Sequence, residues 1–327
     1  MGQKKVYVTR KIPQKALEMI ESEVNMEINQ ENRALTRKEL EEGIKGVDGL
    51  LCFITDTIDS DLLDLNPKLK VIANYAVGFN NIDINACTER NILVSNTPGV
   101  LTDTTADLTW ALLMAISRKI VPADHFTRNG QYKGWDPLLF LGSEITGKTL
   151  GVIGMGRIGR AVTKRAKGFD MNVIYHDIFR QSEEEEKRMG IEYCKINELL
   201  KQADFVTLHV PLLPETTHLI GKKEFEIMKK SAYLINVARG PIVDEKALVS
   251  ALQNKDIAGA ALDVFEEEPK LAAGLAAWDN TVLVPHIGSA TEETRTRMGM
   301  IAAENLLAGL RGESMKNLVN PDVLKNQ

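Results

Sequence analysis

The chain predicts an α/β protein in which one parallel-sheet domain is inserted into another. Three observations point there. Short apolar runs alternate with helical stretches along most of the 327 residues, the pattern of consecutive βαβ units. A glycine-spaced turn, "GMGRIG" from Gly154 to Gly159, stands near the middle of the chain, although such turns usually open a domain. One long helical stretch follows the last strand, and a single helix cannot form a domain by itself.

Within the first hundred residues, "KVYVTR", "VDGLLCFI", "KVIANYAVG" and "ILVSNTPG" are strand-like and "QKALEMIESE" is helical. Residues 103–120, "DTTADLTWALLMAISRKI", predict one long apolar helix opened by capping residues. Turn signals at Asn129-Gly130 and Gly134-Trp135-Asp136-Pro137 follow. The alternation then resumes with "KTLGVIG", "MNVIYHD", "ADFVTLHVP", "AYLINVA", "AGAALDVF" and "NTVLVPHI" as strands. Helices over 157–169, 196–202, 222–228 and 244–254 lie between them. Six such strands suit a Rossmann-type doubly wound sheet.

Beyond "HIGSATEE", Met298, Ala302, Leu306 and Leu310 recur at four-residue spacing on one further helix, with Ser289 and Glu292 as its capping box. Returning this helix to the first hundred residues makes a discontinuous, smaller, flavodoxin-like α/β substrate domain, 1–100 with 288–327. The dinucleotide-binding domain then spans 101–287. Connections near Gly99 and Gly288 would border a cleft.

Composition narrows the function classes. Apolar content of 44% with 26% charged side chains is that of a globular protein, and a net charge of −5 is too mild for nucleic acid or a membrane surface. The run Glu183 to Glu186, followed by Lys187 and Arg188, reads as a solvated helix start. Cys52, Cys87 and Cys194 lack metal-ligand spacing and suit buried positions in a reducing compartment. "MGQKKVYVTRKIPQ" has no signal-peptide core, and no stretch approaches the roughly 20 apolar residues of a membrane span. The expectation is a cytoplasmic protein without a metal.

In the glycine turn, Gly154 permits the bend, Gly156 admits a pyrophosphate and Gly159 allows close helix packing. Asp177, ending "NVIYHD", is placed to accept from a ribose and repel a 2′-phosphate, so NAD is expected, with Arg180 leaving NADP open. Among five histidines, His125 and His218 read as structural, His176 as a partly exposed loop residue and His209 as packing beside the adenine. His286 differs, because "VPHIGSAT" places it at the end of the last strand, where ligands of parallel sheets bind. Arg239 of "NVARG" and Glu266 to Glu268 of "LDVFEEEP" stand at other strand ends. An arginine fork matches a carboxylate, and a carboxylate beside histidine stabilises the imidazolium that would protonate a reduced carbonyl. Surface ion pairing by Arg239 and the glutamates is the alternative.

"GMGRIG", "NVARG", "LDVFEEEP" and "PHIGSAT", in this order, resemble the D-isomer-specific 2-hydroxyacid dehydrogenase family, and within it the glyoxylate/hydroxypyruvate reductases. The resemblance implies that Arg239 binds the substrate carboxylate and that Glu268, before Pro269, pairs with the catalytic His286. It further implies cofactor contacts from Thr104, Gly154, Gly156, Arg157, Ile158, Gly159, Asp177, Val237, Ala238, Asp263 and Gly288. Substrate contacts are implied for Phe53, Val77 and Gly78, and an intersubunit arm would bring Trp135 to the neighbour's site in a homodimer. The first-domain loop "CFITDTID" carries no lysine or arginine, which disfavours a phosphorylated substrate. Phosphoglycerate dehydrogenase, 2-ketogluconate reductase and an NAD(H)-sensing corepressor remain the alternatives, whereas formate dehydrogenases carry glutamine at the Glu268 position.

Overall fold

The computed structural model describes residues 3–325, which form two compact units. One runs to Leu101 and resumes at Ser289; the other spans Thr102–Gly288.

In the first unit, strands β1 (Lys5–Val8), β2 (Asn25–Ile28), β3 (Gly49–Cys52), β4 (Val71–Asn74) and β5 (Leu93–Ser95) alternate with helices α1 (Gln14–Glu21), α2 (Arg37–Gly43), α3 (Ser60–Asp64) and α4 (Ile84–Glu89). All strand pairs are parallel, in the order β2-β1-β3-β4-β5, which is the flavodoxin-like order. β3 and β4 are buried throughout because both sheet faces are covered. The sequence does not mark β2: it is an edge strand, "NMEI", exposed at alternate positions and without an apolar run. Thr36, Asp59 and Asp83 start α2, α3 and α4 by accepting from backbone N–H groups of the first turn.

A late helix, here called α12 (Glu292–Arg311), packs Met298, Ala302, Leu306 and Leu310 against Val6, Val8, Leu51 and Val71 of this sheet. Its cap differs from expectation. Thr291, not Ser289, accepts from the Thr294 N–H, while the Ser289 carbonyl is still closing a turn with the Thr291 N–H.

The second unit opens with α5 (Thr102–Ser117) and α6 (Ile120–Arg128) rather than one helix to Ile120. Lys119 adopts a left-handed backbone, φ +52°, which ends the first helix and redirects the chain. Strands β6 (Thr149–Ile153), β7 (Asn172–His176), β8 (Ile191–Tyr193), β9 (Phe205–Leu208), β10 (Tyr233–Asn236), β11 (Gly259–Leu262) and β12 (Thr281–Leu283) follow. They are interleaved with α7 (Arg157–Ala166), α8 (Glu183–Met189), α9 (Ile196–Gln202), α10 (Lys222–Ile227) and α11 (Glu245–Asn254).

The seven-stranded sheet runs β12-β11-β10-β9-β6-β7-β8, so the order reverses between β6 and β9, where such folds bind dinucleotides. β8, "IEY", has a glutamate at its centre and no apolar run, so the sequence does not mark it. One core gathers Leu208, Leu234, Leu248 and Leu262, the other Trp110, Val152, Tyr175 and Ile235. His176 is the last residue of β7, not a loop residue, and its Nδ1 lies 3.1 Å from the Cys194 carbonyl. Nor is the acidic run wholly solvated: Glu186 is buried and accepts from the Tyr175 hydroxyl at 2.7 Å. Cys52 and Cys87 are buried, and Cys194 is half-buried. No helix of the described residues is long and apolar enough to cross a membrane.

Candidate active site

At the switch point, β6 delivers the glycine turn into α7. Gly154 has φ +97°, and a Cβ there would lie 2.6 Å from the His209 carbonyl carbon. On Gly159 a Cβ would lie 2.1 Å from the Gly154 oxygen, so the helix could not pack so close to its own turn. Gly156 caps α7 without any side-chain bond, and a Cβ there would meet nothing within 4 Å. Backbone N–H groups of the first turn, those of Arg157 and Ile158 included, therefore face a place where a phosphate fits. The residues present suit a dinucleotide.

Asp177, just past β7, accepts from Met155 N at 2.6 Å and from Phe179 N at 2.9 Å. The carboxylate thus braces the glycine turn and still has lone pairs for a ribose hydroxyl. Arg180 is not a spare cation. Its Nε and Nη2 both donate to Glu186 at 2.9 Å, and it stands over the Tyr193 ring. His209 follows β9 with Nε2 2.9 Å from the Thr207 hydroxyl; burial pushes its pKa down to about 3, so it is neutral. Val237 is buried, and Thr104 and Ala238 are half-buried.

Three adjacent strands, β10, β11 and β12, supply the second cluster. Buried Asn236, ending β10, accepts from Ala238 N at 3.0 Å and donates to the Arg239 carbonyl at 2.9 Å, shaping the "NVARG" turn. Burial lowers the Arg239 pKa from its ordinary value, against the opposing pull of Glu268. Gly240 lets this loop rest on the next: a Cβ would lie 1.9 Å from the Phe265 carbonyl.

Asp263, just past β11 and 1% exposed, accepts from Ile287 N at 2.6 Å and Gly288 N at 2.8 Å. Burial pushes it up to about 6 despite those bonds and the nearby His286. His286, at φ +54°, donates its own N–H to the Asp263 carbonyl. Its Nδ1 is 2.9 Å from Glu268 Oε2, and Glu268 Oε1 accepts from Phe265 N at 3.1 Å. Burial raises the Glu268 pKa, but the bond and charge from His286, with Arg239, more than offset this and leave it below the ordinary value. With Nδ1 held by the carboxylate, Nε2 is the ring nitrogen left to exchange a proton. The cluster can orient a carboxylate at Arg239 and pass a proton at His286.

Asn236 acts within its own turn, whereas Gly240 matters because β10 and β11 are neighbours and its loop rests on the next. One residue that shapes this cluster carries no sequence signal. Glu245, 3% exposed, accepts from Glu266 N at 2.8 Å and Ala272 N at 3.2 Å, pinning the loop that carries Glu268.

In the first unit, Phe53 follows β3 with its ring 5.1 Å from that of Tyr75, and Val77 and Gly78 follow β4, half-buried. Asp56 is buried, accepting from Thr9 Oγ1 and Phe53 N, and Arg10 from beyond β1 acts on its charge. A guanidinium therefore stands near the "CFITDTID" loop although that loop contains none. Trp135 is 84% exposed, so it does not cover a core of its own unit.

The profile described as D-isomer specific 2-hydroxyacid dehydrogenase, NAD binding domain, matches residues 110–288. A relative from Thermococcus litoralis, named glyoxylate reductase, is 52% identical over 324 residues, 98% of each chain. Among solved structures, the TT0316 protein of Thermus thermophilus is 44% identical with TM-score 0.90, covering 96% of this chain and 99% of that one. An NADPH-dependent glyoxylate/hydroxypyruvate reductase from Sinorhizobium meliloti, solved with NADP and malonate, is 30% identical with TM-score 0.85, over 98% of both chains. With the strand-end arginine, the histidine–glutamate pair and the glycine turn in place, the chain belongs to the D-isomer specific 2-hydroxyacid dehydrogenase family.

Proposed function

We propose that this protein reduces a small 2-oxo acid, glyoxylate or hydroxypyruvate, to the D-2-hydroxy acid with NADH as the preferred cofactor. The observation that carries this is the His286–Glu268 pair beside the half-buried Arg239 guanidinium. The α7 N-terminus and Asp177, with Thr104, Val237, Ala238, Asp263 and Gly288 as further contacts, would hold NADH, which when bound would supply a hydride. Arg239 takes the substrate carboxylate through its planar fork. Phe53 and the backbone N–H groups of Val77 and Gly78 are the first unit's contribution to substrate binding. His286 donates the Nε2 proton to the carbonyl oxygen as negative charge develops there, and Glu268 stabilises the imidazolium before transfer. In the reverse direction the neutral ring accepts the hydroxyl proton.

The NADH preference rests on Asp177 and on Arg180 being held by Glu186. Initial rates for a panel of 2-oxo acids, each with NADH and NADPH, test the reading. Glyoxylate or hydroxypyruvate with NADH should lead. Faster turnover with NADPH would overturn the cofactor assignment, and no turnover on any member would overturn the function.

A homodimer is part of this reading. Tyr132, Trp135, Leu138 and Leu141 are exposed within ten residues of one another, an apolar stretch that a second copy would cover. We propose that Trp135 lines the partner's substrate site. Trp135→Ala should shift preference among 2-oxo acids more than NADH affinity, and a fully active monomer in sedimentation would rule the dimer out. The three unpaired cysteines suit a cytoplasmic location.

A further inference from the structure

The segment after β4 is tied down through its carbonyls. The Ala76 oxygen accepts from Thr97 N at 2.8 Å, the Val77 oxygen from Asn96 Nδ2 at 2.7 Å and the Gly78 oxygen from Asn74 Nδ2 at 2.9 Å. Asn74 and Thr97 are fully buried. Asn81 extends the network: its side-chain oxygen lies 3.4 Å from Asn74 Nδ2, and its Nδ2 donates to the Phe53 and Asp56 carbonyls. The Cys52 thiol contacts Asn74 Oδ1.

A trans peptide is planar, with its C=O and N–H pointing in opposite directions. Holding the Ala76 carbonyl therefore aims the Val77 N–H the other way, and holding the Val77 carbonyl does the same for the Gly78 N–H. Among the described residues neither N–H has a partner. Three carbonyl ties in succession thus leave two consecutive amides as open donors at the C-terminal edge of a parallel sheet. Consecutive backbone N–H groups of this kind make an anion site.

We propose that Asn96, backed by Asn74, is a positioning residue that orients the Val77 and Gly78 amides to bind the substrate carboxylate. This rests on the 2-oxo acid reading above. It adds that affinity for the acid depends on a side chain that never touches it. Asn96 is the better probe because it is half-buried and makes one side-chain bond, whereas Asn74 supports several contacts.

The test compares wild type, Asn96→Ala and Asn96→Asp. Ala removes the donor; Asp keeps the shape but presents an acceptor to the Val77 carbonyl. The glyoxylate KM should rise about tenfold in the first and more in the second, with kcat within threefold and the NADH Kd from fluorescence within twofold. Melting temperatures are recorded alongside, since a purely structural role would lower them and leave KM alone. An unchanged KM in both folded variants, with wild type active, overturns the positioning role only. Wild type inactive on every 2-oxo acid overturns the parent reading and this one with it.

Discussion

His286 and His218 each hold a glutamate of the same loop. His286 Nδ1 lies 2.9 Å from Glu268 Oε2, and His218 Nε2 lies 2.6 Å from Glu266 Oε1. Both histidines have a left-handed backbone, φ +54° and +51°. Distance favours the His218 pair, yet the surroundings favour His286. Its main chain hangs from Asp263, its glutamate feels Arg239, and it lies three residues past β12, the edge strand next to β11 and then β10, which lead into the other polar loops. His218 is 46% exposed, and the second oxygen of Glu266 is committed to the Glu245 N–H. A short contact between histidine and carboxylate therefore does not mark an acid. Position past a strand end, next to a half-buried guanidinium, does.

The largest expected effect breaks the first pair. His286→Gln should lower kcat by roughly 100-fold or more, the contribution typical of a general acid, with NADH affinity preserved. Arg239→Ala should instead raise the 2-oxo acid KM as well as lowering turnover. Turnover near wild type in the His286 variant at neutral pH would remove this histidine from the mechanism.

Stability should distinguish the two regions next. Asp263 titrates near 6 in the folded chain because it is buried, above its value of 3.8. The folded state therefore binds this proton more tightly than the unfolded state. Its ionised form costs stability above pH 6, and the cost fades as the pH falls toward 4. Asp263→Asn removes the charge but replaces one of the two accepting oxygens by an NH2 group, so it forfeits one backbone bond. Its stability relative to wild type should therefore be lowest near pH 4.5 and improve as the pH rises through 6, where wild type bears the cost of the buried charge. Thermal or urea melts across pH 4.5–8 measure this, and a difference independent of pH would contradict it. The smallest effect belongs to the other pair: His218→Gln should leave kcat within twofold. A tenfold loss in the same rate assay would mean that both pairs serve the chemistry.

Much of this was legible in the chain itself. Apolar periodicity located the principal strands, and the glycine turn identified the cofactor end. Arg239 and His286 stood out because the end of a strand is a local feature. Edge strands β2 and β8 escaped, since "NMEI" and "IEY" each carry a central glutamate or alternate exposure and neither contains an apolar run. The helix predicted over 103–120 concealed the left-handed Lys119, because nothing in "SRKI" requires that conformation.

What the sequence determined alone is the order of elements and the kinds of residue placed at their ends, because both follow from periods of two and 3.6 and from local capping and turn chemistry. Tertiary structure decided which of those ends meet. Asp263 holds the backbone 24 residues away at Ile287, His218 finds Glu266 across 48, and Asn96 holds Val77 across 19. No local period spans such separations. They are set by strand adjacency, and adjacency is settled by how both faces of each sheet are buried.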